Sequence, residues 1–351
     1  MTHPSIHLTI CAKTDLGRTR DHNEDTFLVA DLTRKVTEFK AEAEIAVGER
    51  GVLFMVADGM GGAAAGEVAS AMARDVIFSH VTETWLRTVE PTGDAFMSTL
   101  RGAVELANDR IHAHAREHPE VRGMGTTATV AGVLGNRLYV AQVGDSRAYM
   151  VRDGEAVQLT KDQSLMQRLI DAGELTEEEA EHSERRNIIL QALGPDARIR
   201  VDVTYQDLSR GDTLVICSDG LSGQVKREEI GTLTKTAEGI EALCDSLIEL
   251  ANERGGPDNI TVVVARFAGL GLPEPANAGM VGYQTYPLPD NATPVEPPPA
   301  VRMESPLAGI LDDDEPDEVV VRRSGSPATI GVVAAGILAL LGLAFWLLTR
   351  R

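Results

Sequence analysis

The sequence predicts an α+β domain of mainly antiparallel strands, followed by a polar tail and a single apolar segment. Apolar runs of strand length, rich in Val, Ile and Phe, recur through the first 267 residues. The pairs Gly135-Asn136 and Asp153-Gly154 join such runs as two-residue hairpin turns. Two longer stretches, 66–80 and Gly93–Glu117, instead repeat apolar residues at helical spacing.

Residues 5–13 alternate loosely and are expected to form the first strand. The polar segment Gly17-Arg18-Thr19-Arg20-Asp21-His22-Asn23-Glu24-Asp25-Thr26 leads into a short strand at 27–30, and 31–50 reads as a variable hairpin connection. Leu53-Phe54-Met55-Val56-Ala57 shows no alternation, so this strand should be buried on both faces. The helix at 66–80 would pack a stripe of Val68, Met72, Val76 and Ile77. The helix at Gly93–Glu117 would pack Phe96, Leu100, Ala103, Ala107 and Ile111. His112, His114 and His118 lie on it, but His112 and His114 face different ways, and a solvated face is the simplest reading.

Residues 125–134 and 137–140 form one hairpin, and 149–151 with 156–159 another. The second closes on a type I′ signature, so the middle of the chain reads as an antiparallel meander. From 161 to 190 the sequence turns helical, polar and interrupted, as an excursion from the sheets would be. Strands resume at 201–203 and 214–218, and a helix at 237–254 faces Ile240, Leu243, Leu247 and Ala251 inward. The last strand ends near Phe267, which bounds a domain over 5–267.

Beyond Phe267 the composition changes. Prolines recur among Ala, Gly and acids up to Asp312-Asp313-Asp314-Glu315-Pro316-Asp317-Glu318, so 268–327 is expected to be a disordered, extended linker. Residues 328–348 are 21 positions without a charge. As a helix they would span about 30 Å, one bilayer core, and Trp346 suits an interface. This run is read as a single transmembrane anchor. Arginines flank both its ends, so charge does not orient it; the lack of a secretory signal puts 1–267 on the cytoplasmic side. Gly331, Ala335 and Ala339 recur every four residues, a face through which two anchors could form a weak homodimer.

The chemistry lies at the strand ends. Three apolar runs finish in a carboxylate, at Asp58, Asp145 and Asp219, and Asp258 opens a fourth. An Asp-Gly after a strand is ordinarily just a turn; the recurrence is what suggests one shared pocket. Carboxylates about 4 Å apart repel by roughly 4 kcal/mol at an effective dielectric near 20, so such a pocket needs a cation. Only oxygen ligands are on offer, which favours Mg²⁺ or Mn²⁺ over zinc. The polar segment would ordinarily be a solvated loop, yet Arg20 could grip a phosphate bidentately, and Glu24 and Asp25 could hold metal-associated waters.

The net charge of −20 and pI near 4.8 argue against a nucleic-acid partner. Cys11, Cys217 and Cys244 form no motif, and an odd count fits a reducing compartment.

Six stretches now stand in order. They are Arg20-Asp21-His22-Asn23-Glu24-Asp25, Ala57-Asp58-Gly59-Met60-Gly61-Gly62, Gly125-Thr126-Thr127-Ala128, Val143-Gly144-Asp145-Ser146-Arg147-Ala148-Tyr149, Cys217-Ser218-Asp219-Gly220-Leu221 and Asp258-Asn259-Ile260-Thr261. Together, over roughly residues 8–267, they resemble the PP2C-type (PPM) protein Ser/Thr phosphatases, the bacterial branch above all. The resemblance implies a four-layer αββα sandwich, two antiparallel sheets flanked by helices. It implies that Asp58 bridges two Mn²⁺ or Mg²⁺ ions, with the Gly59 carbonyl, Asp219 and Asp258 as further ligands. Glu24 and Asp25 would hold coordinated waters, Asp145 with Asp219 a third metal, and Arg20 the phosphate. Residues 161–190 would be the flap beside the pocket.

A water shared by two cations is acidified enough to attack phosphorus near neutral pH, so no covalent intermediate is required. Phosphoproteins, with a Ser/Thr kinase as the opposing enzyme, are the implied partners. Two departures stand out. Met60 occupies a position where eukaryotic relatives often carry a histidine proposed as general acid, and Gln163 stands in Asp162-Gln163-Ser164 where relatives often show Asp-His-Ser. A catalytically inactive, membrane-tethered phosphoprotein-binding scaffold is the alternative; dead copies normally lose a metal acid, and Asp58, Asp219 and Asp258 are all present. A divalent-cation sensor would leave Arg20 unexplained.

Overall fold

A computed structural model describes residues 5–37, 43–62, 65–277 and 279–288. The chain opens with β1 (His7–Asp15), β2 (Thr26–Asp31), β3 (Ala43–Ala46), β4 (Val52–Ala57) and β5 (Gly59–Met60). Helices α1 (Ala65–Thr84) and α2 (Gly93–Glu117) follow, then β6 (Gly125–Thr126), β7 (Ala128–Leu134), β8 (Arg137–Val143), β9 (Arg147–Arg152) and β10 (Glu155–Gln158). Next come α3 (Leu165–Asp171), α4 (Glu177–Glu181), β11 (Asp202–Asp207) and β12 (Thr213–Cys217). Three helices, α5 (Asp219–Ser222), α6 (Arg227–Thr236) and α7 (Ile240–Glu253), precede β13 (Ile260–Ala268).

The strands form a six-stranded sheet, β10-β9-β12-β13-β1-β3, and a five-stranded sheet, β11-β8-β7-β4-β2, with β5 and β6 as a separate pair. Neighbours within both large sheets are antiparallel. The period-2 geometry of β4 explains its unbroken apolar run. Val52, Phe54 and Val56 face the other sheet, among Leu8, Ile10, Met150, Ile216 and Val263. Leu53, Met55 and Ala57 face α1 and α2, among Ala69, Ile77, Phe96 and Leu100. The outer face of the six-stranded sheet, with Val215, Cys217, Val262 and Val264, packs on α7 through Leu243, Cys244 and Leu247. The result is a four-layer sandwich, helices outside and two sheets within.

α2 reaches the sheet closely because Gly132 lies beneath it. A Cβ there would sit 2.5 Å from the Phe96 ring. Phe96 in turn tilts against Trp85 at 4.7 Å and meets the Tyr139 ring edge-on at 5.6 Å. The helix starts at an N-cap, Thr92, whose hydroxyl accepts from the Ala95 amide.

Several expectations change. The face of α1 turned inward is Ala69, Ala73, Ile77 and Val81, whereas Val68, Met72 and Val76 pack only at its margin. Small residues let α1 approach, and the bulky ones fill its flank. Residues 31–50 are not a simple hairpin: β3 leaves β2 and joins the other sheet, pairing with β1. Nor is the middle one meander, since β8 and β9 belong to different sheets and the chain crosses between them at Gly144-Asp145-Ser146. Gly144 turns there with φ +103, and a Cβ would meet the Thr127 side chain at 2.6 Å.

The expected disordered linker does not begin at residue 268. Leu272 and Tyr286 are buried, and the chain near 284–286 runs along the edge strand β11. There the Tyr205 amide donates to the Gln284 carbonyl at 3.0 Å, and the Tyr286 amide to the Val203 carbonyl at 2.9 Å. The Tyr286 ring lies between Tyr139 and Tyr205, and its hydroxyl donates to Asp94 of α2. Pairing of the sheet edge and aromatic burial outweigh the local proline and glycine content. The remaining linker, the proposed anchor at 328–348 and its small-residue face lie outside the described residues. Among the described residues no helix is long and apolar enough to cross a membrane.

Candidate active site

Asp58 follows β4, and its backbone is clamped on both sides. Its amide donates to Thr127 Oγ1 at 2.9 Å, and its carbonyl accepts from the Thr127 amide at 2.8 Å and from Thr126 Oγ1 at 2.9 Å. Thr127 Oγ1 also bonds Ser146 Oγ at 2.7 Å, tying Asp58 to the crossing that carries Asp145. Gly59 is required by crowding: a Cβ would stand 2.3 Å from the Gly66 carbonyl oxygen and 2.6 Å from that of Glu24. The same approach brings the Glu24 carboxylate onto Gly66 at the start of α1.

The loop holding Arg20, Glu24 and Asp25 is splinted by Asn259. Its Oδ1 accepts from the Glu24 amide at 2.8 Å, and its Nδ2 donates to the carbonyls of Leu16 at 3.0 Å and His22 at 2.9 Å. Ser218 Oγ donates to Asp25 Oδ2 at 2.8 Å and accepts from the Thr261 amide at 3.0 Å. Asn259, Ser218 and Thr127 all lie inside the sequence motifs, but their splinting role depends on partners up to 243 residues away. Arg20 stands at the mouth, half exposed, with Nη2 donating to Asp258 Oδ2 at 2.6 Å. In water such a pair contributes at most about 1 kcal/mol, so the guanidinium is free to trade partners.

The strand-end acids lie within electrostatic reach of one another. Asp58 is pushed well above the ordinary carboxylate range, by burial first and then by Asp25, Asp219, Asp145 and Asp258. Burial raises Asp25 to about 8 despite hydrogen bonds from Thr261 and Ser218 that oppose the shift. Asp145 is likewise raised to about 8 by burial, then by Asp219. Asp219 is raised by burial and by Asp258, and Glu24 by burial, against Arg20. Carboxylates crowded like this hold protons or a cation.

A hard divalent cation fits. Asp145 Oδ1 is buried with no hydrogen-bond partner among the described residues, an orphan acceptor such an ion would satisfy. The donors are all oxygen. Among the described residues no three acidic, histidine or cysteine side chains are grouped so as to hold a metal ion by themselves. Ions here would complete their coordination with water and backbone carbonyl, as Mg²⁺ does by habit.

Cys217 is fully buried in β12, where burial drives its thiol up to about 12, so it offers no nucleophile. Met60 follows Gly59 and pairs with Gly125, presenting a thioether and no proton. His112 is not on a solvated face as expected: its Nδ1 bonds the Gly194 carbonyl at 2.8 Å. His114 and His118 stack on each other at 3.9 Å.

Comparison with known proteins agrees. The chain is 38% identical over 283 residues to the serine/threonine protein phosphatase PstP of Mycobacterium tuberculosis, covering 80% of this chain and 49% of that protein. The chain thus spans about half the length of that relative. It is 36% identical over 252 residues to the serine/threonine phosphatase stp of Listeria welshimeri, covering 72% of this chain and 93% of that one. The crystal structure of the PstP catalytic domain with two manganese ions superposes with a TM-score of 0.61 at 36% identity, covering 75% of this chain and 99% of that one. The family model for protein phosphatase 2C matches residues 42–260. The chain belongs to the protein phosphatase 2C family.

Proposed function

We propose that this chain is a metal-dependent protein serine/threonine phosphatase, hydrolysing phosphoserine and phosphothreonine in proteins. One observation carries the reading: Asp58 stands within electrostatic reach of Asp25, Asp145, Asp219 and Asp258, and Arg20 pairs with Asp258 at 2.6 Å. Asp58, Asp219, Asp258 and the Gly59 carbonyl would hold two Mn²⁺ or Mg²⁺ ions, with Glu24 and Asp25 on their waters and Asp145 at a third position. The manganese-bound PstP relative supports that ion choice. Bound there, such ions supply Lewis acidity, lowering the pKa of water and offsetting phosphoryl charge.

The chain's own groups do the rest. Arg20 exchanges Asp258 for the phosphate, gripping two oxygens and orienting phosphorus toward the acids. Asn259 and Ser218 keep Glu24 and Asp25 aimed inward. With Cys217 sealed in the core, the nucleophile is water. Met60 donates no proton, so the leaving alkoxide must draw its proton from solvent or a neighbouring acid.

Phosphoproteins made by a Ser/Thr kinase are the expected substrates. The apolar run at 328–348 would tether the enzyme to a membrane with its catalytic domain cytoplasmic, where protease added to intact cells should leave that domain uncut. The catalytic reading is tested by phosphate release from a phosphothreonine peptide by the full chain. Release should require Mn²⁺ or Mg²⁺ and stop reversibly on chelation; release unaffected by chelator would overturn it.

A further inference from the structure

The C-terminal turn of α2, the turn Pro119–Val121 and the Gly194-Pro195 corner enclose an open groove of about 510 Å³. Its walls include His112, Ala115, Arg116, Pro119, Arg122 and Pro195, and no acidic side chain lines it. In a chain of net charge −20, an acid-free groove bearing two arginines runs against the composition. Arg116 and Arg122 are both exposed, and among the described residues neither guanidinium has a hydrogen bond or ion pair. Several other arginines are instead spent on the fold: Arg147 on Asp162, Arg152 on Asp212, Arg254 on Glu229.

The groove is built before any ligand arrives. His112 Nδ1 donates to the Gly194 carbonyl at 2.8 Å, while Asn108 Oδ1 accepts from the Gly194 amide at 2.9 Å. Asn108 Nδ2 also donates to the Asp196 carbonyl at 3.0 Å, so α2 holds the opposite wall in place. A preformed site loses less entropy on binding.

It also adjoins the reaction centre. The Gly123 carbonyl packs on Gly61, where a Cβ would meet it at 3.2 Å, and Met60 pairs with Gly125. Leu193, next to Gly194, exchanges two backbone hydrogen bonds with Thr126. Gly61 follows Asp58 by three residues, at most about 11 Å of chain. An extended peptide advances about 3.3 Å per residue. With the further contact from Gly61 to Gly123, which lines the groove, side chains some four or five positions from the phosphoresidue would reach its near edge.

We propose that this groove binds acidic side chains flanking the phosphoresidue, so that the enzyme favours phosphoproteins carrying Asp or Glu near the target. Arg116 and Arg122 supply the charge and the forked donors that carboxylates accept, and Ala115, Pro119 and Pro195 supply an apolar floor for the peptide. This rests on the phosphatase reading above.

The test uses the full chain with Mn²⁺ and three phosphothreonine peptides, identical except for Glu, Gln or Lys at the four positions on each side. A small ester, p-nitrophenyl phosphate, reports the reaction centre alone. The wild type should show kcat/KM about fivefold higher for the Glu peptide, the scale of two exposed ion pairs. Arg116→Ala with Arg122→Ala should erase that preference through KM and leave ester turnover unchanged. Arg116→Glu with Arg122→Glu should invert it, favouring a Lys-flanked peptide, which a merely structural role would not do. No preference in the wild type, or one that survives the double alanine variant, would overturn the proposal. So would a double variant faster on all peptides alike, since the groove's occupant would then be the chain's own acidic run at 312–318. Failure to hydrolyse even the ester would overturn the phosphatase reading, and this inference with it.

Discussion

Gln163 and Gly144 hold each other twice. The Gln163 side-chain Oε1 accepts from the Gly144 amide at 2.9 Å, and the Gln163 amide donates to the Gly144 carbonyl at 2.9 Å. Gln163 Nε2 donates onward to the Arg200 carbonyl at 3.2 Å and to Asp202 Oδ2 at 3.0 Å, and Gln191 Nε2 donates to Gln163 Oε1 at 2.8 Å. Gln163 thus ties both ends of the 161–190 segment to the crossing that carries Asp145. Gln163→Ala should cost about 1–3 kcal/mol, because it strands a buried amide and several partners. It should also raise the Mn²⁺ concentration needed for half-maximal activity. Thermal melts and metal titrations check this; an unchanged midpoint in both would show the link to be idle.

Asp58→Asn or Asp219→Asn should abolish nearly all activity and leave the fold intact, because these acids face one another rather than the core. Without metal the variants should melt no lower than wild type, since each removes a like charge from the cluster. Added Mn²⁺ should raise the melting temperature of the wild type far more than theirs. Full activity of the Asp219 variant at saturating Mn²⁺ would refute the assignment.

Arg20→Ala should lower kcat/KM at least tenfold, equivalent to about 1.4 kcal/mol of transition-state stabilisation. A rise in KM alone would mean ground-state phosphate binding; a fall in kcat as well would mean that the grip tightens in the transition state. Steady-state kinetics on a phosphothreonine peptide separate the two.

Tyr286 fastens the segment after β13 to the edge of the five-stranded sheet and to α2. Tyr286→Ala should destabilise the domain by about 3 kcal/mol through lost aromatic packing, and Tyr286→Phe by about 1 kcal/mol through the lost bond to Asp94. Urea unfolding of the two variants should show that order. Equal, negligible effects would return this stretch to the linker.

Glu229 caps α6 and receives both Nη atoms of Arg254 at 2.6 Å. That hydrogen bonding, with the Lys226 amide behind it, lowers its pKa from 4.5 to about 2. The carboxylate therefore contributes stability that is present above the unfolded pKa and is lost as pH falls through the folded one. Screening limits it to about 1 kcal/mol at this partly exposed site. The stability gap between wild type and Glu229→Gln should be constant above pH 5 and narrow as pH drops toward 2, followed by urea midpoints.

The sequence alone determined the strands whose two faces are both buried, the hairpin turns, α2, and the acids that terminate or open the strands. Each is a local property: a run of apolar residues, a positive-φ dipeptide, a carboxylate beside a glycine. Asp58, Asp145, Asp219 and Asp258 stand out in the sequence because each sits where an apolar strand stops or starts. What only the tertiary structure decided is which strands share a sheet. The departure of β3, the crossing at Gly144 and the edge pairing beside β11 all rest on contacts between residues far apart in the chain. Such contacts leave no period behind them. Asn259, Thr127, Ser218 and Gln163 stayed ordinary polar residues until the fold brought their partners within hydrogen-bond reach. Tyr286 likewise looked like part of a proline-rich tail, because nothing local records the two tyrosines and the aspartate that receive it.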